Sequence, residues 1–176
     1  MGIYPDAYIA YLVEFHANRD YFECHELLEE YWKEHPDDGM SDIWVGLIQI
    51  AVGQYHERRG NRRGAVMMYK SAERKLADEG LMQLGIDAPS LQHQLAKRRE
   101  GAESGQPYKD MEIKLLDHEL LELCRQASDE LGVAWGTASP MGDADIIHRH
   151  LRRDRTEVVA ARQEALLKKQ SDGRKL

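Results

Sequence analysis

His25, Glu29 and Trp32 stand at helical spacing in a chain of 176 residues and are its clearest candidates for chemistry. They belong to the run Tyr21 to Glu34, YFECHELLEEYWKE. At about 100° per residue, this run puts Tyr21, Phe22, Cys24, His25, Leu28, Glu29 and Trp32 on one side of a helix. Glu23, Glu26, Glu30, Lys33 and Glu34 take the other side. The apolar side is expected to face the core, which sets an imidazole and a carboxylate among aromatic and aliphatic neighbours. An unsatisfied polar group there costs roughly 1 to 3 kcal/mol, so partners are required. At i, i+4 the two side chains can meet each other, and Trp32, one turn further on, can wall the same spot.

Several uses of such a site are open. HELLE superficially matches the zinc-protease signature H-E-x-x-H, but Glu29 replaces the second histidine and Glu26 points away from His25. The two Glu-x-x-His motifs of a di-iron bundle are also missing. His25, Glu29 and His56 could still supply three zinc ligands across two helices, although lone core histidines more often satisfy hydrogen bonds. Neither a metal nor a cofactor is expected here. In an acid-base reading, Glu29 orients His25 or serves as the base, a hydrolase-like arrangement with no nucleophile in sight, since Cys24 lies about 100° round the helix from His25. In a binding reading, His25, Glu29, Trp32, Gln49 and His56 line a cleft for a small molecule or a protein segment. In a purely structural reading, the same five residues form an interhelical hydrogen-bond network that fixes register.

The elements that must position these residues read as helices throughout. Pro5 and Asp6 open the first, about 6–17, with Tyr8, Tyr11, Leu12 and Phe15 at helical spacing. Asp20 can cap the second, which should stop near His35-Pro36. Ser41 is expected to cap a third, apolar nearly all round from Ile43 to Val52 and hence central. On it Gly46, Gln49, Gly53 and His56 share one stripe. Each helical glycine costs about 1 kcal/mol relative to alanine, so the pair points to close approach by another backbone or by a ligand. Gly60 and Asn61 end that helix and cap a fourth, marked by Ala65, Met68, Ala72 and Leu76 and running to about Glu79. Short turns between helices two, three and four predict an antiparallel up-down bundle. Beyond it, GIDAPS reads as a loop and Leu91 to Glu103 as a short polar helix. Met111 to Leu131 reads as a helix with Ile113, Leu116, Leu120, Leu123 and Ala127 inward. Residues 1–131 are taken as the bundle domain and 132–144 as a glycine-rich linker, followed by a terminal helix from Asp145 to Gln170 with a tail in 145–176.

Composition bounds the partners. The net charge of -7 is uneven: residues 1–40 hold ten acids and two bases, 41–147 seventeen and thirteen, and 148–176 four and nine. A chain that is acidic overall is a poor general binder of nucleic acid. The basic stretch His148 to Arg155, HRHLRRDR, is then a solvated helix start that complements the acidic first third. Two cysteines are too few for a disulfide framework, no apolar run reaches the 18 or so residues of a membrane span, and the first residues lack a secretory signal pattern. These features predict a cytoplasmic protein with no membrane partner, and they leave its oligomeric state open.

Two blocks between residues 14 and 79 carry a family likeness. FHANRDYFECHELLEEYW, followed by GLIQIAVGQYHERRGNRRGA, resembles the prokaryotic domain-of-unknown-function family 309. The family's H-x-x-x-E-x-x-W/Y hallmark is matched by His25, Glu29 and Trp32, with Phe22 and Glu26 also fitting. Gly46, Leu47, Ile48, Gln49, His56, Gly60, Asn61, Gly64 and Ala65 match the second block. The resemblance implies an all-helical bundle with a functional site at the histidine, glutamate and aromatic residue, and it implies no particular activity. The combined expectation is an all-α antiparallel helical bundle with additional C-terminal helices. Its function is expected to be a small-molecule or protein binding module at His25, Glu29, Trp32, Gln49 and His56, with the metal-dependent or acid-base enzyme as the alternative.

Overall fold

Capping residues and apolar spacing set the helix boundaries in the computed structural model, which describes residues 3–152 and Leu167. α1 (Asp6–Val13) starts behind Pro5 and passes into a single π-helical turn, Glu14–Asn18. Arg19 ends that turn in the left-handed region at φ +56°, an uncommon conformation for a residue with a full side chain. α2 (Tyr21–Glu34) opens under Asp20, whose Oδ1 accepts the Glu23 N–H at 3.2 Å, and it stops ahead of Pro36. α3 (Ser41–Arg58) and α4 (Arg62–Lys75) follow through short turns, with Asn61 capping the second through the Gly64 N–H at 3.0 Å. α5 (Asp78–Gln83), α6 (Ala88–Ser104), α7 (His118–Glu130), α8 (Ala144–Ile147) and α9 (Arg149–Arg152) complete the order. Among the described residues there is no strand, only an isolated bridge between Ile86 and Leu115, so the fold is the expected all-α helical bundle. None of these helices is long and apolar enough to cross a membrane.

α3 is the axis of the bundle, as its apolar circumference predicts. α2 and α4 pack along it, α1 lies on α2, α6 on α4, and α7 on α1. Ile43, Trp44, Leu47, Ile50 and Ala51 are buried on it, and the half-exposed positions Ser41, Val45, Gln49, Val52, His56 and Arg59 form one stripe along its length. Gly46 and Gly53 face α4. A Cβ on Gly46 would stand 2.5 Å from Leu76 Cδ2, and one on Gly53 2.5 Å from Tyr69 Cε1. The close approach inferred from these glycines is therefore made by the side chains of Tyr69 on α4 and of Leu76 at its C-cap.

Several boundaries differ from the sequence reading. Met40, not Ser41, holds the N-cap position of α3, because the Ser41 hydroxyl sits inside the first turn and accepts from Trp32 Nε1 at 2.8 Å. The fourth helix ends at Lys75, and the short α5 occupies 78–83. α6 begins inside the GIDAPS segment, where Asp87 Oδ1 accepts the Ser90 N–H at 3.1 Å. The largest change is at 111–117, which is extended rather than helical. Met111 and Ile113 alternate inward with Glu112 and Lys114 outward, and the N–H groups of Met111 and Ile113 find partners on Gln54 and His16. α7 thus starts only after Asp117, whose Oδ1 accepts the Glu119 and Leu120 N–H groups. Leu116 and Leu123, expected inward, are exposed, whereas Leu120 is buried as expected and Cys124 is buried beside it on the helix. The terminal helix breaks at His148 between α8 and α9. Its expected continuation to Gln170 and the tail lie outside the described residues, apart from the helical Leu167.

Candidate functional site

α2 presents His25 and Glu29 on adjacent turns, and His25 Nε2 donates to Glu29 Oε2 at 2.7 Å. Lys33 Nζ, another turn on, takes the second carboxylate oxygen at 2.6 Å. The bond to Lys33 holds the Glu29 carboxyl below its ordinary value, partial burial opposes this, and the charge of His25 reinforces it. Both members of the dyad are half-buried, with His25 31% and Glu29 32% exposed. The sequence reading placed them deeper. Tyr21, Cys24 and Leu28 form the buried stripe of α2, and the dyad lies at its edge.

Beside the dyad, α2 and α3 enclose a cleft of about 160 Å³. Tyr21, Phe22 and His25 line it from α2, Val52, Tyr55 and His56 from α3, and His150 from α9. The Phe22 ring lies 5.7 Å from that of His25 and 6.0 Å from that of Tyr55, both tilted, so the walls are aromatic. Asn61 Nδ2 donates to His56 Nδ1 at 3.3 Å, which assigns the His56 ring proton to Nε2. Burial, followed by the nearby Arg59 charge, lowers the pKa of His56 and favours its neutral ring. With Nε2 engaged by Glu29, Nδ1 is the His25 ring nitrogen left for a ligand in the cleft.

The five candidate residues thus divide. His25 and His56 meet on one cleft, and Glu29 fixes His25 from behind. Trp32 is turned to Ser41 instead, and Gln49, whose buried Oε1 has no hydrogen-bond partner among the described residues, lies between those two places on the α3 stripe. The interhelical network imagined for all five is not formed by them. Among the described residues no group of three or more His, Cys, Asp or Glu side chains could hold a metal ion, so His25, Glu29 and His56 do not form the three-ligand set considered from sequence. Cys24 is fully buried, donates weakly to the Tyr11 carbonyl at 3.4 Å, and has its thiol pKa driven up by burial. It offers no nucleophile to the cleft. A broader depression of about 560 Å³ at the start of α3 mixes Asp42 and Glu79 with Lys75 and includes none of the five.

Val52 escaped the sequence reading although it stands four residues before His56, where helical spacing could have found it, whereas Tyr55, adjacent to His56 and about 100° round the helix, gave no such signal. His150 carried no signal, being remote in sequence. A buried polar network was also missed, and it lies on the other side of α3. Gln54 Nε2 donates to the Tyr69 hydroxyl at 2.8 Å, which donates to Glu57 Oε1 at 2.9 Å, and Arg98 Nη2 reaches Glu57 Oε2 at 2.5 Å. Gln54 Oε1 accepts from the Tyr108 hydroxyl at 3.1 Å and from the Met111 N–H at 2.8 Å. Asp110, at the next turn of this network, accepts from Tyr21 and from the backbone and side chain of Ser139. Arg19 binds the carbonyls of Met111 and Thr137 and the carboxylate of Glu112. The segment 132–144 is thereby tied to the start of α2.

The family described as Domain of unknown function (DUF309) matches residues 8–68, a span that takes in α1 to the first half of α4 and all five candidate residues. The protein named Uncharacterized protein YpuF, from Bacillus subtilis (strain 168), is 42% identical over 166 residues, covering 93% of this chain and 95% of the relative. No solved structure matches.

Proposed function

Because the chain belongs to the DUF309 family, whose description states no activity, we propose from the geometry that it is a binding module taking one small planar ring between α2 and α3. The observation that carries this reading is the meeting of His25 and His56 on a single aromatic-walled cleft of about 160 Å³. Ligand sites combine apolar walls with a few convergent polar groups, and drug-sized ligands need about 300 Å³ or more, so this volume suits a single ring. Phe22, Tyr55 and Val52 supply the walls. The His25 ring, held by Glu29, presents Nδ1, an acceptor whenever the ring is neutral, and the His56 ring, held by Asn61, supplies a donor. A phenol or a small nitrogen heterocycle carries both complements. The two unpaired, buried cysteines support a reducing, cytoplasmic setting.

Thermal denaturation of the full chain with a panel of phenols, imidazoles and pyrimidinones tests this. A ligand at about 100 times its Kd adds about 2.7 kcal/mol and raises Tm by several degrees. Val52→Trp, which fills the cleft, should abolish that shift. A panel that leaves Tm unchanged, or a shift that survives Val52→Trp, removes the cleft as the site.

The bond between His25 and Glu29 also favours a second reading, in which the pair exchanges a proton with the bound ring. Turnover by the parent that disappears in Glu29→Gln while binding persists separates catalysis from binding alone.

A further inference from the structure

We propose that α9 (Arg149–Arg152) is a gate over the cleft, latched by Arg149 on Asp20 and by His150 on Tyr55, and that a ligand enters when the latch opens. This inference rests on the cleft being a binding site, since it assigns regulation to that same site. Six of the seven lining residues come from α2 and α3, and His150 closes the cleft from an element remote in the chain.

The latch is made of side-chain contacts at the edge of the bundle. Arg149 Nε and Nη2 reach Asp20 Oδ2 at 2.8 and 2.6 Å, while Asp20 Oδ1 continues to cap α2. Arg59 Nη1 donates to His150 Nε2 at 3.1 Å, which assigns the ring proton to Nδ1, facing the Tyr55 hydroxyl. The same hydroxyl accepts the His150 backbone N–H at 3.2 Å. The hinge lies one step earlier. Ile147 is buried and Arg58 Nη2 reaches the Ile146 carbonyl at 3.4 Å, so α8 is anchored to the bundle. At His148 the backbone leaves helical geometry, with φ -120° and ψ 34°. Contacts of Arg149 and His150 hold the start of α9 against the bundle. Segments held by edge contacts of this kind belong to the low-stability end of a fold, where binding-site lids are found.

The test needs no ligand. Diethyl pyrocarbonate acylates accessible neutral imidazoles, and peptide mass spectrometry reads each histidine separately in the full chain. Arg149→Ala is expected to raise the rates at His25 and His56 roughly two- to fivefold. Exposed His93 and His118 should keep their parent rates, and His16, 1% exposed, should stay protected and so report that the core is intact. Tyr55→Phe, which deletes only the hydroxyl, should give the same sign and serves as the readout if Arg149→Ala exposes His16. Unchanged rates at His25 and His56 in a variant whose His16 is protected overturn the gate. This failure is distinct from that of the binding reading: a gate can open onto a cleft that shifts no Tm, and a ligand can bind a cleft whose acylation rates never change.

Discussion

His16 shows most directly how one side chain links local bonding to the stability of the chain. Its Nε2 accepts the Ile113 N–H at 2.9 Å, so its proton sits on Nδ1, which donates to the Leu12 carbonyl at 2.8 Å. The ring is also stacked on Trp135 at 4.3 Å. Burial, helped by the Arg19 charge, pushes its pKa down to about 3 from 6.5. The sign follows from which state binds the proton. Below pH 6.5 the unfolded chain protonates this histidine and the folded chain does not, so stability is complete above that pH and is lost progressively toward pH 3. The expected slope from this group approaches about 1.4 kcal/mol per pH unit. Denaturant titrations at pH 7 and pH 5 should show His16→Gln less stable than the parent at pH 7 but flatter with pH. An equal pH dependence in the two proteins would place the acid sensitivity elsewhere. Nothing near His16 in sequence announces this role, because its partner Ile113 belongs to a distant segment. His25 and Glu29 were legible for the opposite reason: their partner lies four residues away on the same helix, where periodicity alone brings them together. The depth of the pair was not legible, since sequence spacing gives an angle on a helix and not the position of the neighbouring helices.

At the scale of elements, the two glycines of α3 offer a graded test of packing. The intruding Cβ of Gly46→Ala meets Leu76 Cδ2 at 2.5 Å and Cγ at 2.6 Å, on an apolar side chain that breaks no hydrogen bond if it shifts. The Cβ of Gly53→Ala meets the Tyr69 ring, whose hydroxyl is held by Gln54 and Glu57 and which cannot turn without breaking both bonds. Overpacking costs about 1 to 3 kcal/mol, against about 1 kcal/mol regained from helix propensity. Gly46→Ala should therefore lose less than Gly53→Ala, which should lose about 1 to 2 kcal/mol by chemical denaturation. The reverse order would mean that α4 is not pinned through Tyr69. The glycine stripe shows how much of the architecture sequence could supply: that something approaches α3 closely was readable, whereas what approaches depends on a helix whose register no local signal fixes. The segment 111–117 failed as a helix for a related reason. Ile113, Leu116, Leu120, Leu123 and Ala127 fit a helical period, but Gln54 and His16 offer acceptors to backbone N–H groups there, and alternation suits those acceptors better than a helical turn.

Across the whole molecule, the charge that matters most is the one that joins the central helix to α6. Glu57 on α3 is almost fully buried, its side chain 2% exposed against 12% for Arg98. Removing one partner from a buried pair leaves an uncompensated charge and costs about 3 to 5 kcal/mol, but the two partners of this pair are not equivalent. Among the described residues, Arg98→Met leaves the buried Glu57 carboxylate with the Tyr69 hydroxyl as its side-chain partner. Glu57→Gln leaves Arg98 bonded to the Pro107 carbonyl at 3.2 Å and partly solvated, and its amide can still accept from Tyr69. Arg98→Met should thus approach the upper figure and Glu57→Gln should cost about 1 to 2 kcal/mol, the range of a lost hydrogen bond to a charged group. Parallel denaturant titrations of the parent and both variants at pH 7 check the order. A larger loss in Glu57→Gln than in Arg98→Met would mean that a stranded carboxylate is not what the Arg98 contact prevents.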